Sequence, residues 1–78
     1  MQVLVRMRSQ GKYDWRSEVH DLARLPMTGE YLAFGPDSPW YLVQIVVHTP
    51  YPHTSEAEVY AVQVSADTVK HQALHGKP

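Results

Sequence analysis

The 78-residue chain contains no cysteine, which excludes a disulfide framework and any metal site built on thiolates. A cysteine-free composition fits a reducing compartment, and we expect a cytoplasmic location. The N-terminal segment MQVLVRMRSQ (1–10) lacks a long apolar run too, because two arginines interrupt it. Such a segment is typical neither of a secretory signal nor of a membrane span, so we expect no membrane partner.

Catalytic and cofactor-binding motifs are also missing. None of the five serines lies in a Gly-x-Ser-x-Gly elbow, and the four glycines are too scattered for a phosphate-binding loop. Glu56 and Glu58 would share one face of a strand, where charged residues protect a sheet edge from unwanted pairing. The sequence therefore predicts no catalytic residue and no cofactor, and it favours a non-enzymatic protein.

Lysine and arginine are absent from residues 25–69, which carry five acidic side chains. Residues 1–24 carry five basic and three acidic side chains, and residues 70–78 add two lysines, so the formal net charge is −1. The overall charge gives no attraction to nucleic acid or anionic lipid, and we expect nucleic acid not to be the partner. The basic start and the acidic middle have opposite signs, which would allow them to meet across a two-fold axis.

β-Strand patterning is what the sequence does contain. Strands are predicted at residues 2–8, 30–34 and 56–64, and at the β-branched run 40–48 between two prolines. Short links rich in proline, glycine and serine favour antiparallel pairing of neighbouring strands. We expect one domain over residues 1–78, mainly β, with four to five antiparallel strands curled into an SH3-like, partly open barrel. A short C-terminal helix within 66–77 should be capped by Asp67 and end at Gly76.

Residues 13–25 allow two interpretations. The spacing of one helix face is shared by Trp15, Val19, Leu22 and Ala23. Asp14 would cap such a helix and Pro26 would end it. Periodicity alone favours this helix, which would give an α+β fold with a helix at 14–24 packed on the sheet. The alternative is a fifth strand.

Three segments together resemble a loose group of small uncharacterised bacterial proteins, some of them carried in mobile gene cassettes or phage-like elements. The segments are LARLPMTGEYLAF (22–34), WYLVQIVVHTPYP (40–52) and EAEVYAVQV (56–64). The shared pattern is Leu-Pro-x-x-Gly-Glu, an apolar strand that ends in a histidine, and a strand of the type Ala-Glu-Val-Tyr-Ala-Val. The resemblance implies a β-rich barrel with a strand rather than a helix at 13–20, and it implies no function.

The segment VVHTPYPHT (46–54) places His48 and His53 on either side of Pro-Tyr-Pro. Pro50 and Pro52 fix φ and remove two backbone donors, which favours a loop between two strands. A zinc site needs three or four ligands in a recognisable spacing. No such spacing links the histidines to the other candidate ligands, which are Glu56, Glu58, His71 and His75. We therefore predict a bend that carries surface histidines and holds no metal.

Eight aromatic residues are many for a chain of this length. Three of them are assigned to the core: Trp15, Phe34 and Tyr60. Aromatic rings that flank loops suit an exposed binding patch, because one end of a Tyr or Trp side chain can stay wet. The candidate binding residues are accordingly Trp40, Tyr41, His48, Tyr51 and His53.

These observations favour a small interaction module that associates with itself as a homodimer. The strand at 40–48 has more apolar side chains than one sheet face can bury, and the sheet edges need a cover. The monomeric alternative is a C-terminal helix at 67–75 that covers this strand through Val69 and Leu74.

Two further functions are alternatives to the interaction module. A nucleic-acid-binding barrel would stack bases on Tyr13 and Trp15. Its phosphate contacts would come from the basic N-terminal segment, that is from Arg6, Arg8, Lys12 and Arg16. A small-molecule binder or enzyme would combine His48, His53 and a carboxylate in a cleft between subunits.

Overall fold

A computed structural model describes residues 1–9, 11–12, 14–49 and 56–75 of the chain. These residues form five strands and one helix: β1 (Gln2–Arg8), β2 (Arg16–Asp21), β3 (Tyr31–Ala33), β4 (Trp40–His48), β5 (Ala57–Val64) and α1 (Ala66–His75). In this part of the chain no helix is long and apolar enough to cross a membrane.

The five strands lie in one sheet in the order β2-β1-β5-β4-β3, and the sheet curls into a half-barrel. The prediction of a mainly β, partly open barrel with a short C-terminal helix is thus confirmed. One pairing differs from the expected pattern, because β1 and β5 run parallel while the other three neighbouring pairs are antiparallel. Short links favour antiparallel pairing only between strands that follow each other in the chain. β1 is the first strand and β5 the last, so no short link joins them.

Residues 16–21 form an edge strand, so the helix favoured by periodicity at 14–24 is wrong. β2 pairs with β1, with His20 opposite Val3 and Glu18 opposite Val5. Two residues expected on a buried helix face, Trp15 and Val19, are 41% and 51% exposed. Long-range pairing overrides the local spacing here, because without β2 the almost fully buried strand β1 would present an open edge.

The inner face of the sheet carries the core. Alternate residues of β1 and β5 point inward and are at most 1% exposed: Val3, Val5, Met7, Ala57, Val59 and Ala61. Val43 of β4 joins this cluster, and Leu22, Leu25 and Phe34 pack against it from the segments around β3. The curl of the sheet is what allows these segments to cover the inner face.

The pairing of β4 with β5 shifts register between Val43 and Ile45. Val43 lies opposite Ala61 on the inner face, whereas Ile45 lies opposite Tyr60 on the other side of the sheet, the outer face. Val47 also lies on the outer face, opposite Glu58. Ile45 and Val47 are 53% and 38% exposed. The prediction that this strand has more apolar side chains than one face can bury is confirmed.

Helix α1 lies at one end of the sheet. Its cap is Ser65 and not the predicted Asp67, because the Thr68 N–H donates to Ser65 Oγ at 3.3 Å. None of its residues is buried, and Leu74 is 75% exposed. The Lys70 ammonium lies 5.1 Å from the centroid of the Trp40 ring. Leu74 therefore does not cover β4 as the monomeric alternative requires.

Candidate interaction surface

The three predicted binding residues that the structure describes, Trp40, Tyr41 and His48, do not form one exposed patch. Tyr41 points to the inner face and is only 5% exposed, and its hydroxyl accepts a bond from Arg16 Nη2 at 3.3 Å. Its position follows from the register, which pairs it with Leu32 of β3. Trp40 is half-buried beside Lys70, and His48 is exposed at the end of β4. The predicted bend and the residues Tyr51 and His53 lie outside the described part of the chain.

Two of the three aromatic residues assigned to the core lie elsewhere. Phe34 packs against the core as predicted, with its ring stacked on His20 at a centroid distance of 4.2 Å. Trp15 and Tyr60 instead meet edge to face at 5.4 Å on the outer side of the sheet. The alternation of residues in β5 could have predicted the outer position of Tyr60, because it places Tyr60 on the face opposite Val59 and Ala61. Those two smaller side chains are the buried ones.

Charged and aromatic side chains alternate on the outer face. The Arg8 guanidinium lies over the Trp15 ring at 5.3 Å, and the Arg6 guanidinium lies over the Tyr60 ring at 5.9 Å. Arg6 Nε donates to Glu58 Oε1 at 3.0 Å. This bond is the main reason why the pKa of Arg6 is raised, so the guanidinium is held in its charged form. Arg6 and Glu58 thus form a partly shielded ion pair.

Apolar side chains surround this ion pair. In the sheet register, Val19, Leu4, Glu58 and Val47 form one row across four strands. The next row contains Ser17, Arg6, Tyr60 and Ile45. We define the outer patch as Leu4, Arg6, Val19, Ile45, Val47, Glu58 and Tyr60. Sequence reasoning did not select this set, although the surplus of apolar residues in the strand at 40–48 pointed to it.

The basic residues of the nucleic-acid alternative do not share one surface. Arg6 and Arg8 belong to the outer face, but Arg16 binds Tyr41 on the inner side and lies 3.5 Å from a Glu18 carboxylate oxygen. Lys12 lies in the turn after β1, where its carbonyl accepts a bond from Arg8. Two of the four predicted cations are therefore each held by a carboxylate. That arrangement suits protein contact better than phosphate binding.

A cleft of about 530 Å³ lies beside β3, between Leu22, Pro26 and the rings of Tyr31 and Trp40. Arg24 and Glu30 form an ion pair at this cleft through two hydrogen bonds of 2.9 and 2.5 Å. The Arg24 guanidinium, together with the backbone N–H of Met27, lowers the pKa of Glu30 to about 2 from its ordinary 4.5. Glu30 is therefore an ionised structural carboxylate and not a general acid.

The Arg24–Glu30 pair should make stability depend on pH below about 4.5. A carboxyl with a lowered pKa in the folded state stabilises the fold above its unfolded pKa, and this contribution is lost as the pH falls towards 2. We expect Glu30→Gln to be less stable than wild type at pH 7, with the difference shrinking between pH 4.5 and 2. Urea unfolding at several pH values measures this, with Arg24→Gln as the matched variant. If the difference in unfolding free energy between wild type and Glu30→Gln stays constant down to pH 2, the lowered pKa of Glu30 is contradicted.

No cluster of three or more His, Cys, Asp or Glu side chains that could hold a metal ion is found among the described residues. His71 and His75 of α1 do come together, with ring centroids 5.3 Å apart. Two ligands alone do not make a zinc site, which needs three or four.

Comparisons with family models, with curated proteins and with solved structures gave no match to this chain. The interpretation of the outer patch therefore depends on the chemistry of its own residues.

Proposed function

We propose that this chain is a non-enzymatic interaction module that associates with itself by packing its outer patch against that of a second copy. The observation that carries the proposal is the exposure of three branched aliphatic side chains, Val19, Ile45 and Val47, on a sheet face that helix α1 leaves open. Exposed apolar surface rimmed by polar groups is typical of protein contact sites. Its removal from water contributes about 25 cal/mol per Å² to association.

The charges of the outer patch support a second copy as its occupant. Arg6 and Glu58 pair at 3.0 Å and make the patch neutral, with one charge of each sign. Such a surface is self-complementary when it is turned about a two-fold axis.

A nucleic-acid strand is the second candidate for the same face. The observation that favours it is the row of contacting groups Arg8, Trp15, Tyr60 and Arg6, because aromatic rings beside cations suit nucleic-acid strands. We place this candidate second because the Glu58 carboxylate is paired with Arg6 and would repel phosphate. The small-molecule alternative that uses His48 and His53 gains no support from the described residues.

Nuclear Overhauser effects (NOEs) between copies test the proposal. A sample that mixes isotope-labelled and unlabelled chains reports only contacts between different copies when the spectrum is isotope-filtered. We expect such NOEs at the methyl groups of Val19, Ile45 and Val47, and none at Leu74, which is also apolar and even more exposed but lies on the helix. Contacts between copies at Leu74 alone would place the interface on the helix and overturn the proposal.

Three expectations from the sequence stay proposals. We propose a cytoplasmic location, in keeping with a chain that contains no cysteine. The SH3-like classification of the barrel and the resemblance to small proteins of bacterial mobile gene cassettes also stay predictions.

A further inference from the structure

Arg6 and Glu58 form the centre of the outer patch. Besides the bond to Glu58, Arg6 donates from Nη1 to Ser17 Oγ at 2.9 Å, which fixes the guanidinium over β1 and β2. On the same outer face, apolar side chains of β1, β2 and β4 flank the ion pair: Leu4, Val19, Ile45 and Val47. The patch is therefore neutral, with one positive and one negative charge inside an apolar surround.

The carboxylate of Glu58 has hydrogen-bonding capacity left. Its Oε1 accepts from Arg6 Nε and, at 3.4 Å, from the Tyr60 hydroxyl. Within the described part of the chain, no donor is bonded to Oε2. The Glu58 side chain is 17% exposed, so water still reaches it in a single copy. A second copy that covers the patch removes this water, and a carboxylate oxygen buried without a donor is costly.

We propose that Arg6 of each copy binds Glu58 of the partner copy as well as its own, so that two ion pairs form one ring across a two-fold axis. This inference depends on the self-association proposed above. Every contact in a two-fold interface occurs twice. An axis that runs between the two sheets, over the midpoint of the Arg6–Glu58 pair and perpendicular to the line that joins them, brings each Arg6 against the Glu58 of the other copy. The donor for Glu58 Oε2 is thus Arg6 of the partner copy, while Arg6 of the same copy binds Oε1.

A second copy of this chain fits the patch better than a partner of one charge sign. A basic partner would meet Arg6 and an acidic partner would meet Glu58, and like charges brought together in an interface repel each other. A copy turned about the two-fold axis presents opposite charges at both positions. The ring therefore selects for self-association as well as stabilising it.

Exchanging the two charges between copies tests the ring. Arg6→Glu alone places four carboxylates at the centre of the interface, and Glu58→Arg alone places four guanidinium groups there. We expect each variant to self-associate about a hundredfold more weakly than wild type, or more weakly still. In a 1:1 mixture the opposite charges meet again across the axis, so a heterodimer with near wild-type affinity should form. The matched control mixes Arg8→Glu with Glu58→Arg and should give far less heterodimer. Arg8 lies outside the ring, so one pair of guanidinium groups still meets across the axis, and the Arg8→Glu chain keeps its own homodimer. Native mass spectrometry separates the three species.

The possible outcomes distinguish the ring from the interface as a whole. If both charge variants dimerise as wild type does while a change at Ile45 dissociates the dimer, the ring is refuted and the proposed function stands. Dissociated variants whose mixture does not form the heterodimer also refute the ring. If wild type itself does not dimerise, the proposed function fails first.

A second variant covers the case in which the charge variants do not fold. Arg6→Lys keeps the positive charge and supplies an amine that a zero-length carbodiimide can couple to Glu58. In a mixture of light and heavy isotope-labelled chains, the ring predicts cross-linked peptides that join residue 6 of one label to residue 58 of the other. Peptides in which residues 6 and 58 always share one label would overturn it.

Discussion

Replacing Ile45 by aspartate should dissociate the proposed dimer, with self-association weakened by more than about a hundredfold. Ile45 is 53% exposed in the single chain, so about half of its side chain is free to be buried by a second copy. Burying that half contributes about 0.8–1.5 kcal/mol per copy, and two-fold symmetry counts the loss twice. An aspartate at this position must also lose its hydration or keep the two sheets apart.

The control for this variant is the neighbouring residue. Gln44 is exposed and lies at the register shift, where it has no partner on β5. Gln44→Asp adds the same charge one residue away, and we expect it to dimerise as wild type does. Gel filtration with light scattering measures both variants, and circular dichroism checks that both are folded. Dissociation by both changes to the same degree would mean that added charge, and not loss of the outer patch, drives the effect.

The sequence predicted those parts of the fold that depend on alternation. Val3, Val5 and Met7 mark one buried face of β1, and Ala57, Val59 and Ala61 mark one buried face of β5. The parallel pairing that joins these two strands was not predictable from local pattern, because no short link connects them. The same pairing is what makes the Arg6–Glu58 contact, so the centre of the patch could not be found from sequence alone.

The wrong predictions for the helix at 14–24 and for several aromatic residues have a common physical cause. Trp15 and Val19 fit a helix face in sequence, but the open edge of β1 recruits their segment into the sheet. Tyr41 and Tyr60 were assigned by size and position relative to loops, whereas the register with neighbouring strands decides which face each side chain takes. The surplus of apolar residues in β4 needed no register to be recognised, and β4 carries the exposed side chains Ile45 and Val47.

Sedimentation equilibrium of the wild-type chain over a range of concentrations tests the central claim most directly. Interfaces of standard size bury about 800 Å² per partner and span micromolar to picomolar affinity, depending on how well the centre is packed and paired. The outer patch combines aliphatic side chains with a neutral, self-complementary ion pair, so we expect a dissociation constant of about 1 μM or lower. The account predicts twice the chain mass of 8.9 kDa at micromolar concentration, with a return to the chain mass on dilution. A single species of 8.9 kDa at every concentration, at both low and high salt, would contradict it.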